Sequence, residues 1–533
     1  MTHSPGLAVP ARGKSPGAHR LARTWAVVAV MVSAQMLIWL DNSILNVALA
    51  TMADPVAGLG AGSGDLEWIA GSYSLVFAST LFAGGALADR FGPRRTLVAG
   101  LAVFAVASAA GAYAATPAHL IVARGLMGVG SGLLMPATLS IILQCTAPAQ
   151  RTRAIAIWGS SSGFGVAIGP VAGGALLSHF WWGSVFLVNV PIVAGCLAGI
   201  AAVVPAVPAG GRRRLDLPGL FMSVLGFGGV VFGVVELGRQ VPWTSPRVYV
   251  PVLAGLGLIA AFVVGQLRSA APSFDPRLFT KRRFAAGNVV LLLAFMALSG
   301  QLFFAAFYLQ GPRGLTPQAA GGIMVAAAVG IVLGSLSAPT AIRLGSARWT
   351  TAGGVLASGV TYASYLWFDE RTSLAVLVVM LFVQGFGMGI LGTPVTIAMM
   401  ADVPAHLTGA GSAVGSATRQ LGSALGVAIA GSVLAAVYRQ QLAPALPAIP
   451  EELRERALTS VESARSVGSP ALSAAADGAF LTAMSAAAVV TALLAAAGFV
   501  AAVVGLHVRA AQPSPQRRAE TPVAESRPRR SAG

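Results

Sequence analysis

The chain has 533 residues, of which 56% are hydrophobic and only 10% charged. Soluble domains carry about a quarter charged residues, so this composition excludes a water-soluble globular protein and points to one embedded in lipid. The formal net charge of +17 raises nucleic acid as a partner, but the placement of that charge, given below, excludes it.

The first 24 residues are basic and rich in Pro and Gly, and they precede an apolar run that lacks a small-residue cleavage site. That is the pattern of a retained signal anchor rather than a secretory peptide. Gly13-Lys14-Ser15 mimics the end of a phosphate-binding loop, yet Ala8 stands where that motif needs glycine, and no strand precedes it. ATP hydrolysis is therefore not the expected energy source. Fourteen apolar runs of spanning length can be marked, beginning near Trp25, Trp68, Thr96, His119, Arg153, Ser184, Leu217, Val248, Phe284, Pro317, Trp349, Thr372, Gly409 and Gly478. They group as six, two and six. The expected segments are a basic tail at 1–24, a six-helix bundle at 25–204, a linker with two helices at 205–283, a second bundle at 284–508 and a disordered tail at 509–533. With the N-terminus inside, cytoplasmic segments hold 25 of the 35 Lys and Arg residues and outer loops hold 8. This positive-inside bias places both termini in the cytoplasm and the chain in the cytoplasmic membrane. The basic charge orients helices and touches anionic headgroups.

In the first run, Asp41 is a carboxylate inside a membrane segment, a costly placement that marks a proton or substrate path and is expected beside a cavity. Gln35, Asn42 and Asn46 recur at i, i+7 and i+11, which makes one side of this helix polar and a candidate lining of the pathway. Loss of hydration disfavours the ionised carboxyl, so Asp41 is expected to exchange a proton. After the second run comes Gly85-Ala86-Leu87-Ala88-Asp89-Arg90-Phe91-Gly92-Pro93-Arg94-Arg95. A faint copy follows the tenth run, with Arg343, Gly345 and Arg348 aligned to Arg90, Gly92 and Arg95 and Ile342 replacing Asp89; parallel repeats of this kind relate the halves of some transporters. Arg124 opens a glycine-rich stretch in the fourth run, close enough to its outer end for snorkelling to compete with an internal role. A fixed cation there favours the ionised form of a nearby acid, and Asp41 is the obvious partner.

The fifth run contains Gly165, Gly169, Pro170, Gly173 and Gly174. Proline removes a helix hydrogen bond and the glycines bare the backbone, which lipid cannot repair. The element is therefore expected to press on another helix, at the place where the two bundles meet. Further along, Glu236 lies near the outer end of the seventh run, where water can reach it, and Arg419 lies well inside the thirteenth, where an internal pair is expected. Gln301, Phe304 and Tyr308 share a helical face at i, i+3 and i+7; with Met127, Gln384 and Met388 they are candidates for the substrate cavity, against a packing role for the aromatic stripe. The outer loop at about 439–477 carries an amphipathic stretch, Glu451 to Arg465, with Leu453, Leu458 and Val461 on one side, expected as a short surface helix over the exit.

Several of these segments resemble one family. Leu40 to Leu49 resembles the first-helix signature of the fourteen-helix drug:proton antiporters of the major facilitator superfamily. Arg124 to Gly132 resembles their fourth-helix motif, in which the arginine serves proton transfer, and G-x-x-x-G-P-x-x-G-G their fifth-helix antiporter motif. Gly85 to Arg95 resembles the superfamily's loop between helices two and three, whose residues here are Gly85, Asp89, Arg90, Gly92, Arg94 and Arg95, with Pro93 at a position often basic. In that loop Asp89 would pair with an arginine or cap a helix end as a latch. Phe186 to Pro191 and Arg419-Gln420-Leu421-Gly422 match more loosely, and Gly183 replaces the usual arginine before Phe186.

The resemblance covers about residues 24–508 and implies an all-α polytopic carrier of the major facilitator fold: two six-helix bundles, two extra helices between them, fourteen spans in all. It implies a monomer that imports protons and exports an amphipathic drug or antibiotic, with Asp41 and Arg124 as the coupling residues. A dedicated exporter of one endogenous metabolite fits the same residues. An uptake permease shares the fold but not the fifth-helix motif. The six histidines are scattered over termini and helix ends, and the two cysteines, Cys145 and Cys196, lie in apolar stretches; neither set builds an enzyme centre, a disulfide framework or a metal site, and no cofactor is expected.

Overall fold

The computed structural model describes residues 16–53, 58–61, 63–205, 217–238, 244–268, 276–315, 317–404, 407–448, 450, 453–454, 457–458, 461–465 and 467–506. Its long helices in chain order are α1 (Pro16–Ala53), α2 (Ser63–Phe91), α3 (Pro93–Ala112), α4 (Pro117–Cys145), α5 (Pro148–His179) and α6 (Ser184–Val203, with a turn at Val188). They continue as α7 (Leu217–Gly238), α8 (Pro246–Arg268), α9 (Arg282–Gln310), α10 (Pro317–Leu344), α11 (Ala347–Ser364), α12 (Leu374–Met400), α13 (Thr408–Leu442) and α14 (Pro470–Gly505). Among the described residues there is no strand, and twelve helices are long and apolar enough to cross a membrane. The described part of α7 offers a shorter apolar helix, Phe221–Val234, and α11 spans 18 residues. This is a multi-pass membrane protein.

Helix starts follow local chemistry. Proline occupies the first turn of α3, α4, α5 and α14, where its missing N–H costs nothing. The hydroxyls of Thr116, Ser346, Ser373 and Ser469 accept from otherwise orphaned N–H groups of α4, α11, α12 and α14. These signals carry helices past the apolar runs: α5 begins at Pro148 rather than Arg153, and α14 at Pro470 rather than Gly478. The expected outer loop is shortened accordingly. α5 runs unbroken through Pro170.

The first six helices pack around one apolar core reaching from Val27 to Val204, with α1 on α4, α5 and α6 and with α2 and α3 on α4. The last six pack mainly through α9 with α13 and α14, α10 with α12, and α11 with α12 and α14. α7 pairs with α8 and also lies on α2 and α13. The bundles meet where α5 touches α10 and α12, and where α13 touches α2 and α4. Lipid supplies no hydrophobic drive between helices, so close backbone approach must hold them. Glycines provide it: a methyl on Gly128 would lie 2.7 Å from the Tyr73 carbonyl oxygen, and one on Gly130 2.8 Å from that of Gly100. Gly385 and Gly389 leave equally little room against Ala327 and Ile331 of α10.

Between α13 and α14, a 3-10 turn at Ala443–Ala448 and a short helix at Val461–Arg465 lie against the second bundle. Ala457, Val461 and Ala464 are buried there, and Leu453 and Leu458 pack on the same core. Arg465 reaches the Gly311 carbonyl at 2.8 Å and pairs with Asp477 at 2.8 Å. The amphipathic stretch thus covers the end of the second bundle, its apolar side inward. The tail and phosphate-loop mimic at 1–15, the basic linker at 206–216, the segments at 239–243 and 269–275, parts of the stretch after residue 448, and the tail at 507–533 lie outside the described residues.

Candidate functional site

α1, α2, α4 and α6 enclose an ion pair. Arg124 Nη1 stands 2.5 Å from Asp41 Oδ2, and the two side chains are 0% and 1% exposed. Arg124 Nε donates to the Ile69 carbonyl at 3.2 Å, and its guanidinium lies 4.3 Å over the Tyr73 ring. Snorkelling is thereby excluded: the arginine turns inward, where α1 and α2 supply its partners. The other carboxylate oxygen accepts from Asn189 Nδ2 at 2.8 Å. Asn189 Nδ2 also reaches Ser108 Oγ at 3.1 Å, which itself donates to the Phe186 carbonyl at 2.8 Å. The Tyr73 hydroxyl sits 2.8 Å from Ser131 Oγ.

The expected partnership of Asp41 and Arg124 is present, and Asp41 is 2% exposed. The carboxylate points into the first bundle, because its helix is tied to α5 on the other side. The polar stripe of α1 does not share one environment either. Gln35 is buried with no partner for Oε1, while half-buried Asn42 donates to the Ile38 carbonyl of its own helix at 3.0 Å. The side chain of Asn46 lies outside the described residues. Asn189 was missed as a member of the site; an asparagine inside an otherwise apolar helix was the available signal.

At the end of the molecule that carries the α2–α3 connection, Asp89 crosses to the second bundle. Its Oδ1 accepts from Gly409 N and its Oδ2 from Ala410 N, both at 2.8 Å. Those N–H groups belong to the first turn of α13, which has no intrahelical acceptor for them and carries positive dipole charge. Of the two expected latch geometries, the helix cap is formed. Gly85 permits it, since a methyl there would lie 2.7 Å from Ala413 Cβ and from the Gly409 carbonyl oxygen. Gly92 takes φ 90, a backbone region that favours glycine, and buried Pro93 starts α3. Arg90 lies 5.2 Å over the Phe91 ring, Arg94 is half-buried and Arg95 exposed. The copy after α10 lacks this geometry: Gly345 has no positive φ among the described glycines, and Ile342 cannot cap.

The α5 glycines correct one expectation. Methyls on Gly165 and Gly169 would strike α1, at Trp39 Cβ (2.6 Å) and at Ser43, and one on Gly173 would meet Ile44. Ser43 also donates to the Val166 carbonyl at 3.0 Å. This seam lies inside the first bundle, not between bundles. The face of α5 that meets α10 carries Gly163 instead, where a methyl would lie 2.6 Å from the Ala328 carbonyl oxygen. A methyl on Gly174 would meet nothing within 4 Å, and the side chain of Pro170 is outside the described residues. Gly169→Leu is expected to separate α1 from α5 and to cost about 1–3 kcal/mol, read as a lower unfolding temperature with α5–α10 cross-linking unchanged. Gly163→Leu should give the opposite pattern.

The substrate candidates of the second bundle are core residues. Gln301, Phe304 and Tyr308 have no exposure, and Phe304 and Tyr308 pack on Tyr365 at ring distances of 5.3 and 6.3 Å. Gln384 Nε2 donates to Gln301 Oε1 at 2.6 Å, and Gln301 Nε2 to the Tyr365 hydroxyl at 2.8 Å. Met127 and Met388 are buried too. A helical face read from sequence says nothing about which neighbour fills it, and here other helices do. Glu236, expected near water, is buried on α7. Gly183 is explained: a methyl there would collide with the Ala112 carbonyl oxygen at the end of α3, so no arginine fits.

Arg419 also departs from expectation. It is half-buried, its Nη2 reaches Ser416 Oγ at 3.4 Å, its Nε has no partner, and its guanidinium lies 6.0 Å from the Trp158 ring of α5. No carboxylate pairs with it among the described residues.

Comparison with known proteins gives a consistent outcome. The Major Facilitator Superfamily model matches residues 31–427. The multidrug efflux pump LfrA of Mycolicibacterium smegmatis is 34% identical over 421 residues, which is 79% of this chain and 82% of that protein. The probable actinorhodin transporter of Streptomyces coelicolor is 32% identical over 449 residues, 81% of this chain and 77% of that one. Among solved structures, the human organic anion transporter MFSD10 superposes with a TM-score of 0.62 at 15% identity, covering 90% of this chain and 99% of that chain, a likeness of fold alone.

Proposed function

We propose that this chain, which belongs to the Major Facilitator Superfamily, exports amphipathic drugs or antibiotics across the cytoplasmic membrane in exchange for protons. The observation that carries the reading is the Asp41–Arg124 pair, sealed inside the first bundle with Asn189 on its second oxygen. A buried ion pair is retained against its desolvation cost only with close geometry, and an ionisable pair within a membrane marks a proton path by default. A proton on Asp41 removes its charge and releases Arg124; re-forming the pair expels the proton. Coupling follows if one state of Asp41 favours each arrangement of the bundles.

In this reading the bundles, residues 25–204 and 284–508, rock about a central pathway, and the Asp89 cap on α13 closes the cytoplasmic end. α7 and α11 cross the membrane with the other twelve helices, both termini are cytoplasmic, and one copy suffices. No covalent chemistry is involved. LfrA is named a multidrug efflux pump, which supports a broad cargo. The actinorhodin transporter, named for a single compound, favours a second reading as dedicated exporter of one endogenous metabolite.

Cells carrying the chain should expel lipophilic antibiotics and dyes, and a protonophore should abolish that efflux. Equal expulsion with the proton gradient collapsed would sink the antiport mechanism.

A further inference from the structure

We propose that Arg419, whose guanidinium lies over the Trp158 ring of α5, is a subsite for a carboxylate or comparably compact oxyanion on an aromatic cargo. Arg419 lies eleven residues beyond Thr408, about 16 Å along α13, and therefore deep in the membrane. A buried cation without a counter-charge costs several kcal/mol, and intramembrane charges usually pair with one another. Two of the acids within the helices are committed elsewhere, Asp41 to Arg124 and Asp89 to the first turn of α13, and no ion pair joins buried Glu236 of α7 to Arg419 among the described residues. Arg419 keeps one long bond to Ser416 and an Nε without a partner. Its own helix is locked by neighbours, with Thr418 donating to Asn288 Oδ1 at 2.9 Å and Ala417 buried against the first bundle's core. The residue is nevertheless only half-buried, on the side of α13 that looks toward α5.

The chemistry selects an anion. A guanidinium offers a planar fork that two carboxylate oxygens satisfy at once. The indole of Trp158, 5% exposed and fixed by its 3.2 Å bond to Thr138 Oγ1, borders this guanidinium and makes the surroundings of the anion aromatic. A cationic cargo would meet repulsion at the same place.

This subsite rests on the export reading for its cargo, so binding is tested apart from transport. The purified full chain in phosphatidylcholine nanodiscs, where no anionic lipid competes, is titrated with 2-naphthylacetate, 2-naphthylacetamide and 2-(2-naphthyl)ethylammonium. The carboxylate should bind at least about tenfold tighter than the amide, the strength of one charged hydrogen bond, and the ammonium weakest. Arg419→Gln should erase that preference with no fall in unfolding temperature, Arg419→Lys should keep part of it, and Arg419→Met replaces the glutamine variant should that one not fold. Equal binding of carboxylate and amide by the unaltered chain, no carboxylate binding, or a preference that survives in Arg419→Gln overturns the proposal. A carboxylate preference without proton-driven export would leave the subsite standing and remove the transport reading; export without the preference would do the reverse.

Discussion

Asp41→Asn is expected to abolish proton-driven export, a loss of at least about a hundredfold in the initial rate, and to destabilise the fold at the same time. Asparagine keeps the size of the side chain and removes its charge. Arg124, held 2.5 Å from Asp41 with no exposure, is then a lone cation between four helices. Breaking a buried pair in this way costs about 3–5 kcal/mol. Arg124→Gln should be comparably damaging for the complementary reason, since Asp41 would keep only Asn189 as a donor. Removing both charges, in Asp41→Asn with Arg124→Gln, should restore most of the stability and none of the coupling. Unfolding temperatures and proton flux in reconstituted vesicles, measured for the four members of this cycle, separate the two roles. Proton flux that survives Asp41→Asn would take Asp41 out of the coupling path.

Gly409→Leu is the second large effect, and it acts on the equilibrium between bundle arrangements. A Cβ at this position would lie 2.5 Å from Asp89 Oδ1 and 2.7 Å from the Gly85 carbonyl oxygen. The side chain cannot be absorbed by a rotamer change, because one of those atoms is backbone. α13 must therefore stand away from α2, the two hydrogen bonds to Asp89 are lost, and this end of the molecule stays open. Export should fall by at least about tenfold, with folding retained, since the glycine lies between bundles rather than within one. Asp89→Asn is the milder form: the cap is worth up to about 2 kcal/mol, which shifts the ratio of open to closed forms by up to about thirtyfold. The measurement is the labelling rate of a cysteine placed at Ser140, which is buried beside Thr408 at 3.2 Å, in a chain whose Cys145 and Cys196 are replaced by serine. Both variants should accelerate labelling by a membrane-impermeant maleimide; an unchanged rate in Gly409→Leu would refute the latch.

Much of this molecule can be read without coordinates. Lipid tolerates few charges, so Asp41, Arg124 and Arg419 stand out in apolar runs, and the runs themselves set the helices to within a few residues. Where helix ends moved, at Pro148 and Pro470, proline and capping residues had carried the helix beyond its apolar stretch. Other features were not legible in the same way. Phe304 and Tyr308 form a clear helical face, yet nothing in it says that Tyr365 is the ring it packs on. The α5 glycines signal a close approach, yet nothing in their spacing says that the partner is α1 rather than α10.

The sequence by itself determined the solvent, the helices, the family and the rare charges, because each of these is a local property of one segment. Tertiary structure alone decided which faces meet. It set Asp41 against Arg124, 83 residues away, brought Asn189 to the same carboxylate from 148 residues away, and laid Asp89 across the start of α13. It also left Arg419 over Trp158 with no acid paired to it among the described residues. The physical reason is that helices apolar on nearly every side carry no hydrophobic face to orient them in lipid. Their rotation is settled by where backbones can come within contact distance and where the few polar groups find each other, and both are properties of pairs of helices.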